Sequence, residues 1–308
     1  MKKIRHTAIV GMGALGLLYG QQIQNALGRD AVTFVMDEAR MLRHQNDIYR
    51  INGEEISFNV TCMSEMKPAD LVIVATKATG LESALNVIEP AVGEDTIILS
   101  VLNGISSEQI LAERFGAERV LGCVAIGMDA MRDGSILQFT QKGRLQVGTL
   151  AAGQEEMLQS VVSFFEEIGQ TYEVKEDIIQ AMWSKFLLNV GINQTCMVYE
   201  TSYGGALAEG EIRENMIAAM REVLAIAKAE RIAIGEADLQ RALDIIGGLK
   251  PEGYPSMRQD AVAHRASEVD LFAGTVIAIA EKHGMDVPVN RYFYEKVKEM
   301  EQVYCGKW

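Results

Sequence analysis

The sequence predicts a parallel α/β domain followed by an all-α domain. Two observations support this prediction. In the first half of the chain, short apolar runs alternate with helical patterns, whereas after Val174 nearly every periodic segment is helical. The length of 308 residues is typical of two domains that each have a core of their own. We place the domains at residues 1–175 and 176–308.

The predicted parallel strands are the apolar runs of the first half. They are Ile4–Val10, Ala31–Met36, Leu71–Ala75, Thr96–Val101 and Val120–Ile126, and the last three are separated by helical patterns near Leu81–Ile88 and Ser107–Phe115. This alternation is typical of parallel strands joined by crossover helices. Asn52-Gly53 lies between two further β-like runs and predicts a two-residue hairpin. Ile136–Phe139 and Arg144–Val147 are predicted to form an antiparallel addition at the sheet edge.

The predicted helices of the second half have apolar residues at helical spacing. They are Ile178–Val190, Glu211–Glu230, Glu236–Gly247, Met257–Glu281 and Tyr292–Tyr304. A homodimer that buries one of these helices is compatible with the pattern, but no interface can be read from it.

Three glycines follow the first predicted strand at the spacing G-x-G-x-x-G. The segment is Gly11, Met12, Gly13, Ala14, Leu15 and Gly16. In such a loop the first glycine makes a tight turn, the second lets the backbone approach a pyrophosphate, and the third lets a helix pack closely on the strand. A second apolar strand, and Asp37 about 20 residues beyond the last glycine, complete the pattern of a dinucleotide-binding unit. The first domain is therefore predicted to contain a Rossmann-type sheet.

The net charge and the spacing of particular residues argue against several other classes of protein. The 29 basic and 42 acidic residues give a net charge of −13, which argues against nucleic acid or an anionic membrane as a partner. The glycines within the first apolar run, and Gln21-Gln22 where a cleavage site would lie, argue against a secretory signal. We therefore expect a soluble, cytoplasmic protein. The four cysteines and four histidines have no metal-site spacing, so no metal is predicted.

Polar residues follow the predicted strands at the positions where open parallel sheets bind ligands. Asp37 follows the second strand, Lys77 the third and Asn103 the fourth. Lys77 and Asn103 have simpler explanations as well, because loop lysines are usually solvated and Asn-Gly pairs are often plain turns.

The helical half contains a second set of candidate residues. Lys185, Asn189 and Asn193 are spaced by four, which places them on one helix face. On a mostly apolar helix they are candidates for a substrate-binding wall, and the alternative is a solvated stripe. Ser256 and Glu268 follow on one long predicted helix, where the simpler interpretations are an N-cap and a solvated acid.

These residues occur in the order seen in the ketopantoate reductases, which the chain resembles over essentially its whole length. Besides the glycine segment and Lys77, the shared landmarks are Leu102-Asn103-Gly104, Met131-Arg132-Asp133-Gly134, Trp183-Ser184-Lys185 with Asn189 and Asn193, and Ser256-Met257-x-Gln259-Asp260 followed by Glu268 and Asp270. The resemblance implies reduction of 2-dehydropantoate to D-pantoate with a nicotinamide cofactor, in pantothenate and coenzyme A biosynthesis.

The resemblance also implies a role for each candidate. Lys185 would be the general acid that protonates the keto oxygen, and Glu268 would bind the substrate hydroxyl and orient Lys185. Asn103 would lie near the nicotinamide and the reacting carbonyl. The implied substrate contacts are Asn103, Asn189, Asn193 and Ser256. The chemistry agrees, since an ammonium group at that oxygen stabilises the developing charge and supplies the proton.

The choice of cofactor stays open at this point. The resemblance implies NADP, with a basic residue after the second strand, but here Asp37 and Glu38 come first and Arg40 follows. A carboxylate suits the ribose 2′-hydroxyl of NAD, whereas Arg40 and Lys77 favour a 2′-phosphate. One alternative is therefore an NAD-dependent D-2-hydroxyacid dehydrogenase of the D-mandelate type, acting on another branched or aromatic 2-keto acid. A more remote alternative is a non-catalytic dinucleotide sensor.

Overall fold

The computed structural model describes residues 2–305 and divides them into two units. Unit 1 contains residues 2–103 and 107–178, and unit 2 contains residues 104–106 and 179–305. The sequence prediction placed the division after residue 175. Unit 1 has a mainly parallel sheet with helices, and unit 2 is built of helices, so the predicted fold class is confirmed.

Unit 1 contains two sheets. Their strands are β1 (Thr7–Val10), β2 (Val32–Met36), β3 (Tyr49–Ile51), β4 (Glu54–Ile56), β5 (Asn59–Cys62), β6 (Leu71–Val74), β7 (Ile97–Ser100), β8 (Val120–Met128), β9 (Met131–Asp133), β10 (Ile136–Gln138), β11 (Lys142–Gly148) and β12 (Tyr172–Val174). The large sheet has the order β12-β11-β8-β7-β6-β1-β2-β5, and the small sheet has the order β4-β3-β10-β9. All five strands that the apolar runs predicted lie in the large sheet.

The central strands β1, β6 and β7 are buried along their whole length. This burial is expected of parallel strands that are covered on both faces. Successive side chains of β1 enter different apolar clusters, because strand residues alternate between faces: Ile9 packs in one cluster, and Ala8 and Val10 pack in the other. The helices of unit 1 are α1 (Ala14–Leu27), α2 (Glu38–His44), α3 (Leu81–Ile88), α4 (Ser107–Phe115) and α5 (Glu155–Glu167).

The turn after β3 is as predicted, whereas one strand pairing is not. Asn52 and Gly53 have φ values of 48° and 92°, as a two-residue hairpin requires, and β3 pairs antiparallel with β4. The predicted pairing of Ile136–Phe139 with Arg144–Val147 is wrong. β11 pairs with β8, whereas β10 joins β3 and β9. The Asp129 carboxylate accepts the backbone N–H groups of Thr140 and Gln141, the last two of the three residues between β10 and β11, and so holds the connection between the two sheets.

Unit 2 consists of helices. They are α6 (Ile178–Val198), α7 (Tyr203–Leu207), α8 (Glu211–Ala229), α9 (Glu236–Gly247), α10 (Ser256–Val262), α11 (Thr275–Lys282) and α12 (Pro288–Cys305), with a π-helical turn at Asp270–Gly274. The first residue of α6 belongs to unit 1. Within residues 2–305, no helix is long and apolar enough to cross a bilayer.

The continuous helix predicted over Met257–Glu281 is wrong, because the chain leaves the helical conformation between α10 and α11. His264 adopts a φ of 53° just after α10. The backbone N–H of Arg265 donates to the carbonyl of Asp260, and its guanidinium lies 2.8 Å from the Asp260 carboxylate. Together these contacts close a turn. Glu268 therefore lies in a bend ahead of the π-helical turn and not on a helix face.

Candidate active site

The glycine loop lies between β1 and α1, and two of its glycines are required by backbone packing. Gly11 has a φ of +100°, and a Cβ atom there would lie 2.5 Å from the carbonyl oxygen of Ala75. A Cβ atom at Gly16 would clash with the carbonyl oxygen of Gly11. Because β1 and β6 are neighbours, the loop packs directly against the end of β6. The loop can therefore take this form only with glycine at both positions.

The middle glycine is different, because the protein itself leaves room beside it. A Cβ atom at Gly13 would be 3.7 Å from its nearest neighbour, the Ala75 carbonyl oxygen, which is ordinary van der Waals contact. Gly13 is also the N-cap of α1, where no side chain caps the helix and the first turn contains no acidic residue. An open, uncapped helix N-terminus of this kind fits the phosphates of a dinucleotide.

Asp37 lies at the end of β2 and caps the following helix. Its Oδ1 accepts the backbone N–H of Arg40 at 2.8 Å, which satisfies one of the free donors at the start of α2. The Arg40 guanidinium forms an exposed ion pair with the same carboxylate, with its Nε 3.7 Å from Asp37 Oδ2. Glu38 is exposed beside them. The three side chains together place a net charge of −1 at this strand end.

Lys77 and Asn103 follow β6 and β7. Lys77 is exposed and Asn103 is half-buried. The strand order β7-β6-β1-β2 makes these parallel strands neighbours, so Asn103, Lys77, the glycine loop and Asp37 all lie along one edge of the large sheet. Unit 1 thus brings together all the cofactor candidates that the sequence predicted.

A buried hydrogen-bond chain that the sequence analysis missed supports the segment carrying Asn103. The backbone N–H of Leu102 donates to Ser100 Oγ at 3.3 Å, and the hydroxyls of Ser100 and Ser107 lie 2.8 Å apart. Ser107 Oγ donates to the Glu108 carboxyl at 2.9 Å, and Glu108 is only 4% exposed. The occurrence of these polar residues in an otherwise apolar stretch of sequence was the signal that could have indicated this hydrogen-bond chain. This hydrogen-bond chain holds the backbone at Leu102, the residue before Asn103.

The second set of candidates lies on α6 in unit 2. Lys185 is half-buried, and Asn189 and Asn193 are 8% and 5% exposed. All three are on one helix, so their spacing of four puts them on one face. The burial of the two asparagines excludes a solvated stripe at those positions. Buried amides need hydrogen-bond partners, and a helix face of this composition is suited to a polar ligand.

Gln194 is a further residue of α6 that the sequence analysis missed. It is fully buried, and its Oε1 accepts the backbone N–H of Ala273 in the π-helical turn at 3.0 Å. Its Nε2 lies 3.1 Å from Asn290 Oδ1 on α12. Gln194 therefore ties three elements of unit 2 together.

Ser256 and Glu268 also lie in unit 2. Ser256 is the exposed first residue of α10, and Pro255 is the N-cap, so the interpretation of Ser256 as the N-cap is wrong. Glu268 is half-buried in the bend before the π-helical turn. The neighbouring Ser267 holds that bend, because its backbone N–H and its hydroxyl both donate to Glu301 at 2.7 Å.

Thiol and metal chemistry find no support in the described residues. Cys62, Cys123 and Cys196 are buried free thiols, and burial raises the pKa of Cys196 to about 12. The side chain of Cys305 lies outside the described part of the chain. Among the residues that the structure describes, no three His, Cys, Asp or Glu side chains are arranged to hold a metal ion.

The chain is similar in sequence to known proteins. The family model described as ketopantoate reductase PanE/ApbA matches residues 7–152, and the model of the C-terminal part of the same family matches residues 177–301. A 2-dehydropantoate 2-reductase of Vibrio cholerae serotype O1 is 27% identical over 296 residues, which cover 96% of this chain and 97% of that protein.

Two solved structures are similar in fold. A D-mandelate dehydrogenase with NADH and anilino(oxo)acetate superposes with a TM-score of 0.85 at 22% identity, over 97% of this chain and 99% of that one. A dimeric ketopantoate reductase from Staphylococcus aureus superposes with a TM-score of 0.79 at 20% identity, with the same coverage.

Proposed function

The chain belongs to the ketopantoate reductase family and is a nicotinamide-dependent oxidoreductase, and we propose that it reduces 2-dehydropantoate to D-pantoate. The observation that carries this proposal is the polar face of α6, where Lys185, Asn189 and Asn193 lie on a helix whose other residues are mostly apolar and buried. A face with one ammonium group and two buried amides suits a small keto acid, which needs a proton donor and several hydrogen-bond donors.

The cofactor is proposed to bind along the carboxyl edge of the large sheet. The pyrophosphate would lie at the segment Gly11–Gly16, with contacts from Gly11, Met12, Gly13, Ala14, Leu15 and Gly16. Asn103 would lie near the nicotinamide. When bound in its reduced form, the nicotinamide supplies the hydride.

Lys185 is proposed as the general acid. Hydride addition to the keto carbon moves an electron pair onto the carbonyl oxygen, and the Lys185 ammonium group donates the proton that completes the hydroxyl. Glu268 would accept a hydrogen bond from the substrate hydroxyl and orient Lys185. Asn189, Asn193 and Ser256 would hold the substrate. The partial burial of Lys185 strengthens its interaction with the developing negative charge, because a dry site screens charge less than water does.

NADH is the cofactor that the residues after β2 favour. Asp37 is held at the strand end by its bond to the Arg40 backbone, so its carboxylate is available to accept the ribose 2′-hydroxyl of NADH. The net charge of −1 from Asp37, Glu38 and Arg40 opposes a 2′-phosphate. Lys77 acts in the other direction, but it follows a different strand and is exposed.

The preference of the residues after β2 for NADH also favours a second candidate function. NADH is the cofactor named for the D-mandelate dehydrogenase whose fold this chain shares. A D-2-hydroxyacid dehydrogenase that uses NAD would need the same lysine as proton carrier and would differ only in the group bound beside the keto acid. We therefore keep this reaction, on a branched or aromatic substrate, as the alternative.

A homodimer belongs to the proposal as well. The Staphylococcus aureus relative is described as dimeric, and unit 2 exposes large apolar side chains, among them Ile245 and Val262 at 56% each. Light scattering of the purified protein should give twice the monomer mass, and a monomer at micromolar concentration would refute this part.

The test of the proposed reaction is the loss of nicotinamide absorbance with 2-dehydropantoate, measured separately with NADH and NADPH. Turnover with 2-dehydropantoate, faster with NADH, is the expected result. Oxidation of D-mandelate with NAD, without turnover of 2-dehydropantoate, would establish the alternative instead. Tight cofactor binding with no turnover of any 2-keto or 2-hydroxy acid would refute both and leave a dinucleotide sensor.

A further inference from the structure

The small sheet of unit 1 carries two side chains to the glycine loop. Its strands come from two separate parts of the chain, since β3 and β4 precede β5 whereas β9 and β10 follow β8. Arg132 on β9 donates through Nη1 to the carbonyl oxygen of Met12, the residue between the first two glycines of the loop. The hydroxyl oxygen of Tyr49, on β3, lies 3.6 Å from the sulfur of the same methionine.

Arg132 is itself held in place by two further contacts. Its Nε donates to the carbonyl oxygen of Gly134 at 2.8 Å. Its guanidinium carbon lies 5.6 Å from the centre of the Tyr49 ring, within the range of a cation–π interaction. The guanidinium therefore meets the loop in one orientation.

Tyr49 is fixed as well. The residue is only 1% exposed, and its hydroxyl donates to Asp47 Oδ2 at 3.1 Å. Burial and this hydrogen bond raise the pKa of Tyr49 to about 12, so the hydroxyl stays protonated as a donor. His44 Nδ1, at the end of α2, lies 2.8 Å from the same Asp47 oxygen and lowers the pKa of that carboxyl. A continuous set of contacts thus runs from α2 to the glycine loop.

The contact with Met12 determines the direction of the next amide. The peptide between Met12 and Gly13 is trans, so its carbonyl and its N–H point in opposite directions. Because Arg132 holds the carbonyl, the Gly13 N–H is directed away from the small sheet. Gly13 is the N-cap of α1, and the space beside it is open.

Without this contact, the peptide is free to rotate. A flip of the Met12–Gly13 peptide changes ψ of Met12 and φ of Gly13, and glycine accepts a wide range of φ at little cost. The flipped form would direct a carbonyl oxygen where an N–H is needed, and that oxygen would repel an anion. The glycine that leaves room for a pyrophosphate therefore also makes the loop easy to misorient.

We propose that Arg132 is a positioning residue that fixes the Met12–Gly13 peptide, so that the Gly13 N–H faces the pyrophosphate of the dinucleotide. The inference rests on the proposed cofactor site at the glycine loop. Arg132 does not touch the substrate in this scheme, and its effect is confined to cofactor affinity.

The test measures the dissociation constant of NADH for the wild type, Arg132→Gln, Arg132→Lys and Arg50→Gln by cofactor fluorescence. Arg50 lies on the same small sheet, is exposed and pairs with Glu55 at 3.0 Å, so Arg50→Gln removes the same charge without touching the loop. We expect Arg132→Gln to weaken NADH binding about 10- to 100-fold, the range for one charge-assisted hydrogen bond, and Arg50→Gln to change it less than about twofold.

Further measurements separate positioning from charge and from stability. Arg132→Lys keeps the charge but loses the planar guanidinium, and we expect it to bind NADH nearly as weakly as Arg132→Gln. The KM of the keto acid and kcat at saturating NADH should stay within about twofold of wild type in Arg132→Lys, and its unfolding temperature without cofactor should stay close to that of Arg50→Gln.

Two outcomes would overturn the inference. If the wild type binds NADH and Arg132→Lys binds it equally well, Arg132 does not position the loop, although the proposed cofactor site stands. If the wild type binds neither NADH nor NADPH, the proposed cofactor site fails and the inference fails with it.

Discussion

Replacing Asp37 with asparagine tests the proposed choice of cofactor with little structural change. The Asp37 side chain accepts the Arg40 backbone N–H as the N-cap of α2. Asparagine caps helices about as well as aspartate, so the stability of the fold should change by less than about 0.5 kcal/mol. The substitution then removes one negative charge from the end of β2, together with the exposed ion pair between that charge and Arg40.

The size of the effect follows from charge and exposure. The Asp37 side chain is 47% exposed, so the screening of water applies. Two unit charges about 4 Å apart in water interact by about 1 kcal/mol, and a phosphate monoester carries roughly 1.5 to 2 charges at neutral pH. Exchanging a charged acceptor for a neutral one weakens the hydrogen bond from the 2′-hydroxyl of NADH by about 1 kcal/mol. The preference for NADH over NADPH should therefore fall by about 2 to 3 kcal/mol, or roughly 30- to 150-fold.

The assay compares kcat/KM for NADH and NADPH in the wild type, Asp37→Asn and Glu38→Gln. Glu38 is the exposed neighbour of Asp37, so Glu38→Gln removes the same charge one residue away and should alter the ratio only about threefold or less. A ratio for Asp37→Asn within twofold of wild type would refute the reasoning. A wild type that prefers NADPH would show that Arg40 and Lys77 outweigh Asp37.

Three further predictions concern the lysine, the loop and pH. Lys185→Ala should lower kcat at least about 100-fold and leave the affinity for NADH unchanged, because it removes the proposed general acid. The control is Lys228→Ala, which replaces an exposed lysine and should keep the activity of the wild type. Near-normal turnover of Lys185→Ala would contradict the general-acid role. Gly16→Ala should lower the free energy of unfolding by about 1–3 kcal/mol, because the new Cβ atom would clash with a backbone carbonyl oxygen. The control is Gly80→Ala, whose new Cβ atom would make only ordinary van der Waals contacts. Equal urea midpoints for these two variants would argue against this packing. Burial lowers the pKa of His6, so the unfolded chain binds the proton more tightly and the protein should lose stability as pH falls below about 6.5. His6→Gln should reduce the difference in urea midpoint between pH 7.5 and pH 5.5, and an unchanged difference would contradict this account.

Features that depend on near neighbours in the chain could be predicted from the sequence. Apolar runs locate the parallel strands, because burial on both faces of a sheet requires continuous apolar residues. Asn52-Gly53 predicts the hairpin, because both residues tolerate positive φ. The glycine spacing and the spacing of Lys185, Asn189 and Asn193 place the candidate residues on a loop and on one helix face. The resemblance of these motifs to a known family supplied the proposed chemistry.

Features that depend on distant contacts could not be predicted in this way. The apolar spacing after Met257 is helical, yet the chain forms a bend at Glu268, and the neighbouring Ser267 is bonded there to Glu301, 34 residues away. The same holds for the pairing of β10 with β3 and for the bond from Arg132 to the Met12 carbonyl, across 120 residues.

The sequence by itself thus determined the class of fold, the strand and helix periodicities and the candidate residue types, since these follow from local chemistry. Only the tertiary structure decided where Glu268 lies, which residues support Asn103, and that a small sheet reaches the glycine loop. The physical reason is that these contacts join residues that become neighbours only after the chain has folded, and no periodic pattern records them.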